Sequence, residues 1–166
     1  MPTTIQNSTT EKIPVWIPVT VNKGYSDDVT DMVIDAYVKG KQEGYISHKS
    51  NEKAVLVNQL DTSLRTAMNI FSEFYMSTEK EFGIDISAMY LKIHGRYNFI
   101  AAIILPTDFY YSENRRPFTE NQIKLELDKS EQFCKIGFLT IPHKEELNLK
   151  KLASNGFIFK YDPQKS

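Results

Sequence analysis

Apolar residues are densest in the middle of the chain, where two runs typical of β-strands flank the tetrapeptide HGRY at 94–97. Side chains alternate between the two faces of a strand, and the first run alternates in this way. We therefore predict a central hairpin with strands at about 86–94 and 97–105. Gly95-Arg96 fits a two-residue type II′ turn, because its first position needs a positive φ and glycine has no Cβ to clash there.

This turn fixes a register for the predicted hairpin. It sets Lys92 opposite Phe99 and Tyr90 opposite Ala101, whereas a longer HGRYN loop would shift the pairing and exchange the faces. The predicted core face consists of Met89, Leu91 and Ile93, opposite Ala102, Ile100 and Asn98. The second strand is apolar on both faces, which favours a position inside the sheet, covered by helices or by a partner chain.

A long apolar stripe precedes the hairpin. Its members recur at alternating spacings of three and four residues, which is typical of one helix face; they are Val57, Leu60, Leu64, Ala67, Phe71 and Phe74. Because the stripe is unbroken, we favour one helix from after Ser50 to Phe82, ended by Gly83. The alternative is a buried strand at 53–59 followed by a helix from Thr62.

The remaining segments carry weaker signals. We expect an edge strand or an irregular extended arm at 13–21, because Pro14 and Pro18 cannot donate to a ladder. We expect a first helix at 27–42 behind an N-cap at Ser26. Further expected elements are a loop at 107–118, a helix opening at Glu120 behind a Thr119-x-x-Gln122 capping box, a strand at 136–141, a helix at 144–153 and a strand at 157–161. Residues 120–128 stay ambiguous, since Ile123, Leu125 and Leu127 also alternate like a strand.

These elements predict an α+β fold: a mixed, mostly antiparallel sheet of four to five strands with the hairpin at its centre and helices packed on it. Residues 1–11 are polar and predict a flexible N-terminal tail, and 12–162 predict a single α+β domain.

Composition narrows the functional classes. The 166 residues include 20 basic and 21 acidic side chains, a net charge of −1, which disfavours a nucleic-acid binder. No run of 18 apolar residues is present, and the start MPTTIQNSTTEK lacks the apolar stretch of a signal peptide. The one cysteine, Cys134, cannot form an intrachain disulfide and is expected to be a buried small hydrophobe. We therefore expect a soluble cytoplasmic protein.

Catalytic signatures are sparse. The chain has no phosphate-binding glycine loop, no nucleophile elbow and no zinc-binding His-Glu-x-x-His motif, and its histidines (His48, His94 and His143) are far apart in sequence. We expect neither a metal ion nor a cofactor. His94 is the one speculative catalytic residue, because it lies beside Arg96 at the predicted turn, yet no carboxylate is placed to orient it.

A second group of residues suggests an anion site. Arg115 and Arg116 are adjacent, and guanidinium groups bind carboxylates and phosphates bidentately. They precede a predicted helix start, whose free N–H groups also favour an anion, and Tyr110 and Tyr111 could stack on a planar ligand. With Arg96, these four form the predicted ligand-binding set. A solvated loop before a capped helix would show the same pattern.

The sequence therefore predicts a non-catalytic binding or protein-interaction module that binds a protein partner or its own copy, in the latter case as a homodimer. The alternative is an enzyme or sensor that acts on a phosphorylated or nucleotide-like ligand. A single-stranded RNA surface built from Tyr90, Lys92, Tyr97 and Phe99 is disfavoured by the net charge.

Overall fold

The computed structural model describes residues 15–19, 51–145 and 147–163. The predicted tail at 1–11, the N-cap at Ser26 and the helix at 27–42 lie outside them. The described residues form five strands and four helices: β1 Val15–Pro18, α1 Asn51–Phe82, β2 Ala88–Gly95, β3 Asn98–Leu105, α2 Thr107–Tyr110, α3 Arg115–Lys129, β4 Lys135–Pro142, α4 Leu149–Ser154 and β5 Phe157–Asp162. The predicted α+β class is confirmed.

The five strands form one sheet in the order β1-β5-β2-β3-β4. Every neighbouring pair is antiparallel except β3 and β4, which run parallel. The mixed, mostly antiparallel sheet with a central hairpin is thus confirmed. β1 lies on one edge and ends at Pro18, as expected of a proline-containing strand.

The hairpin exists, but its predicted turn and register are wrong. The turn residues are Arg96 and Tyr97, and Gly95 pairs with Asn98. Gly95 does not have a positive φ, since among the described residues only Gly83 and Gly156 do. The pairing shifts between Ile93 and Gly95, so that His94 is the extra residue of an irregular step and lies opposite no partner.

Burial explains the observed register. Leu91 pairs with Ala101 and Ile93 with Phe99, so Phe99 joins the core face and is 1% exposed. The predicted register would have turned exposed Asn98 toward the core instead. Burying a phenylalanine contributes about 1.5–3 kcal/mol, which outweighs a locally favourable glycine turn. The core position of Met89, Leu91 and Ile93 is confirmed, with Ile103, Ala101 and Phe99 as their partners.

Helix α1 covers the first face of the sheet. It is a single helix, so residues 53–59 are helical as favoured. Leu60, Leu64 and Phe71 are fully buried against this face, and the Phe71 ring meets the Phe138 ring edge-on at 5.3 Å between centroids. Gly83 has φ 61° just beyond the last turn, the left-handed position that commonly ends a helix.

A smaller cluster lies on the second face of the sheet. It contains Tyr90, Ala102, Ile104, Leu152 and Phe157. Leu152 belongs to α4, which therefore packs on this face. α4 begins at Leu149, five residues after the predicted start, where the Asn148 side chain accepts a hydrogen bond from the Lys151 backbone N–H at 3.0 Å. β3 is buried on both faces, as predicted.

The predicted loop at 107–118 is the other main correction. It contains α2 and the first turn of α3, which begins at Arg115 rather than Glu120. Thr119 is no cap, because its hydroxyl donates to the Arg115 carbonyl at 2.9 Å inside the helix. Pro117 is compatible with this helix start, because proline is tolerated in a first helical turn, where an N–H has no intrahelical partner anyway. The ambiguous residues 120–128 are helical.

Helix α3 runs along the outer edge of β4 and covers it with polar side chains. Glu126 Oε1 accepts from the Phe138 backbone N–H at 2.9 Å, and Ser130 Oγ accepts from that of Ile136 at 3.1 Å. Gln122 Nε2 donates to Thr140 Oγ1 at 3.1 Å. Residues spaced by four along α3 and its C-terminal cap (Gln122, Glu126 and Ser130) thus bond β4 residues spaced by two. The unpaired edge of the sheet is thereby closed to other strands.

Candidate functional site

The structure separates the residues that the sequence singled out. His94 and Arg96 lie at the hairpin turn, where β2 ends and β3 begins. Tyr110 and Arg115 follow the opposite end of β3, on α2 and α3. β3 has eight residues, which at strand rise corresponds to about 25 Å. A single pocket therefore does not unite His94 or Arg96 with the rest of the predicted ligand-binding set.

The histidines do not converge either. His143 follows β4, where its backbone N–H donates to the Leu105 carbonyl at 2.7 Å, so it lies at the end of the sheet away from His94. His48 is outside the described residues. Across 15–19, 51–145 and 147–163, no cluster of three or more His, Cys, Asp or Glu side chains could hold a metal ion.

Four of the predicted binding residues do share a hollow, which we call the arginine hollow. Its volume is about 720 Å³, and it is lined by Tyr110, Tyr111, Ser112, Glu113, Arg115, Arg116, Thr119 and Glu120. The Arg115 guanidinium lies over the Tyr110 ring at 4.3 Å, and its Nε donates to Thr119 Oγ1 at 3.2 Å. Arg116 pairs with Glu120 at 3.0 Å. The structure thus groups these side chains as a cation–π and ion-pair cluster.

The start of α3 has few free backbone N–H groups that could bind an anion. The backbone N–H of Arg115 donates to Ser112 O at 3.1 Å, and that of Arg116 donates to Glu113 O at 3.4 Å. Pro117 has no N–H. The free donors anticipated at this helix start are therefore already bonded. Two arginines and two glutamates line the hollow, so their formal charges cancel.

A second cavity, which sequence reasoning missed, lies at the hairpin turn; we call it the tip groove. Its volume is about 530 Å³, and it is lined by Val55, Asn58, Gln59, Thr62, Ser63, Tyr97 and Phe133. These residues come from three separate segments: the first turns of α1, the hairpin turn and the loop before β4. None carries a charge. Phe133 is 57% exposed and Val55 is 53% exposed, which is high for large apolar residues.

Local contacts hold the aromatic side of the tip groove in place. The Tyr97 hydroxyl donates to Gln59 Oε1 at 3.1 Å, which ties the hairpin to α1. The Tyr97 and Phe133 rings meet edge-on at 5.2 Å. Two backbone hydrogen bonds between Glu131 and Cys134, at 2.9 and 3.2 Å, close the loop that carries Phe133. The exposed phenyl ring is therefore part of an ordered turn.

Cys134 follows Phe133 in the chain and is buried, as predicted. Its thiol donates to the Ser63 carbonyl at 3.7 Å. Burial raises the pKa of the thiol, and the nearby Glu131 carboxylate raises it further. Since the thiolate is the nucleophile, Cys134 is poorly suited to covalent chemistry.

The proposed RNA surface is not formed. Tyr90 and Phe99 are both buried, and they belong to the clusters on opposite faces of the sheet. Stacking of bases along one face would need these rings to be exposed side by side. The corrected hairpin register is the reason, because it moves Phe99 to the other face.

Sequence gave little signal for the tip groove. Tyr97 stood out through its place near the turn, whereas Phe133 is one apolar residue within SEQFCK and belongs to no periodic stripe. Among the described residues, no helix has both the length and the apolar character to cross a membrane. Comparison with protein-family models, curated proteins and solved structures finds no significant match.

Proposed function

We propose that this protein is a non-catalytic interaction module whose tip groove receives an apolar side chain from a protein partner. The observation that carries this proposal is the pair of exposed apolar residues, Phe133 and Val55, on a groove without charges. Protein interfaces place aromatic residues at their centre and are depleted of charge there. We also propose a reducing, cytoplasmic setting, in keeping with a single buried thiol.

The polar side chains of the groove complement its apolar ones. Asn58, Gln59 and Thr62 supply amide and hydroxyl groups that can bond the backbone of a bound segment. A volume of about 530 Å³ lies within the range of ligand pockets, roughly 300–1,000 Å³. Because Tyr97 is already bonded to Gln59, binding needs little ordering of this wall, and that favours affinity.

Selection from a random peptide library displayed on phage tests the proposal. We expect the full-length protein to enrich peptides with a shared aromatic or branched aliphatic anchor. These should bind Phe133→Asp at least tenfold more weakly and should shift the amide resonances of Asn58 and Tyr97. Leu149→Asp is the matched control, since Leu149, on α4, is exposed to a similar degree and does not line the tip groove. Equal binding by the wild type and Phe133→Asp, or no enrichment at all, would contradict the proposal.

A second candidate is a sensor for an anionic ligand at the arginine hollow. The stacking of Arg115 on Tyr110 favours it, because a fixed guanidinium plane can hold a phosphate or a nucleobase. A catalytic role for His94 is not supported there, given the separation of about 25 Å along β3. Thermal-shift measurements with inorganic phosphate, nucleotides and sugar phosphates test it. A shift that Arg115→Ala abolishes would support this candidate, and no shift would dismiss it.

A further inference from the structure

The outer side of α3 carries a self-complementary pattern of charge. Four exposed residues follow one another at four-residue spacing with alternating sign: Arg116, Glu120, Lys124 and Asp128. Residues four apart lie on the same side of a helix, so they form one stripe. Beside this stripe lie Ile123, 52% exposed, and Leu127, 77% exposed.

The opposite sides of α3 are already occupied. Phe118 is buried in the core, and Gln122 and Glu126 are bonded to β4. Among the described residues, Ile123 and Leu127 belong to neither apolar cluster. Exposed large apolar side chains grouped on one surface commonly mark an interaction site.

We propose that a second copy of this chain binds this side of α3, with the two helices antiparallel about a twofold axis that crosses them at the height of residue 122. In that register, residue n faces residue 244 − n of the other copy. Arg116 then faces Asp128, since 116 + 128 = 244, and Glu120 faces Lys124, since 120 + 124 = 244. The axis repeats each contact, so four opposite-charge contacts form. A parallel pairing would set each residue against its own copy, which is repulsive at every position.

The register set by the charges also matches the apolar residues. Ile123 is one residue from the axis, about 1.5 Å of helix rise, so the two Ile123 side chains are about 3 Å apart along the helices and can contact each other beside the dyad. Leu127 then lies within about 3 Å of Thr119 in the other copy, measured along the helices. Charge and apolar contact therefore agree on one geometry. Because α3 has only 15 residues, the interface is small, and we expect a salt-sensitive dimer with a dissociation constant in the micromolar range.

Sedimentation equilibrium of the full chain tests the dimer and its chemistry. We expect a concentration-dependent dimer that Ile123→Asp dissociates, whereas Met76→Asp, at 53% exposure on α1, leaves it unchanged. Lys124→Glu should weaken the dimer about tenfold, because two attractive contacts become repulsive. The exchange Glu120→Lys/Lys124→Glu should restore it. A strict monomer, or a double variant as weak as Lys124→Glu, would refute the proposal.

Disulfide trapping tests the register directly. Ile123→Cys should cross-link two copies under air oxidation, because its two copies are only about 3 Å apart along the helices. Asp128→Cys should not, since its two copies are separated by about 18 Å along the helices. Equal cross-linking of both would overturn the geometry. This surface is distinct from the tip groove: a dimer lost in Phe133→Asp but kept in Ile123→Asp would contradict this inference and place the contact at the groove.

Discussion

Glu126 provides the sharpest test of how the sheet edge is closed. Its Oε1 accepts the Phe138 backbone N–H at 2.9 Å in a partly buried setting, and the Phe138 ring packs against Phe74 at 4.8 Å. Glu126→Ala removes the acceptor and leaves that N–H on an unpaired strand edge. A hydrogen bond to a charged group contributes about 1.5–3 kcal/mol. With a discount for partial exposure, we expect the free energy of unfolding to fall by about 1–2 kcal/mol.

Urea denaturation measures this loss, and two variants that should cost less serve as controls. Glu126→Gln keeps an acceptor oxygen without the charge, so its cost should be below about 1 kcal/mol. Glu120→Ala removes an exposed pair with Arg116 on the same helix and should cost less than about 0.5 kcal/mol. Amide hydrogen exchange should show faster exchange of Phe138 in Glu126→Ala alone. If Glu126→Ala costs no more than Glu120→Ala, or Phe138 exchanges rapidly in the wild type, the edge-closing role of Glu126 is refuted.

Three further predictions concern the core, a helix end and pH. Phe71→Ala should lower the free energy of unfolding by about 3–5 kcal/mol in urea titrations, because a fully buried ring leaves a cavity. No atom crowds a Cβ added at Gly83, so Gly83→Ala should cost only the penalty of its φ of 61°, about 1 kcal/mol in the same titrations. Gly83→Asn should cost less, because asparagine tolerates the left-handed region better than alanine. Burial raises the pKa of Cys134, Tyr75 and Tyr90. As the pH rises, these groups therefore ionise at a lower pH in the unfolded chain than in the folded protein. The stability they contribute is present at neutral pH and falls as pH rises above about 9, which denaturation across pH 7–11 would show; a flat profile would contradict it.

The long helix was predictable because its stripe runs unbroken over many turns, so one pattern decides the element. The hairpin was predictable in existence but not in register. Turn chemistry at Gly95 is a local preference, whereas the pairing is decided by which residues the whole sheet buries, above all Phe99. That information is not contained in the tetrapeptide.

The start of α3 was missed for a related reason. Pro117 interrupts any helix except in its first turn, and only the surrounding backbone hydrogen bonds reveal that this is a first turn. The tip groove was beyond sequence reasoning, because its lining comes from segments that only the fold brings together. Tyr97 could be singled out, but the contribution of Gln59 and Phe133 depends on the packing of α1 against the hairpin turn.

The place of β5 has a consequence for how this chain comes off the ribosome. β5 is the last described strand in chain order, yet it lies between β1 and β2 in the sheet. While β5 is still in the exit tunnel, β1 lacks the strand that it pairs with among the described residues, and one edge of β2 is left unpaired. Nascent chains stalled before residue 157 should therefore be captured by chaperones that recognise extended segments. Once β5 has left the tunnel and paired with β1 and β2, this capture should cease.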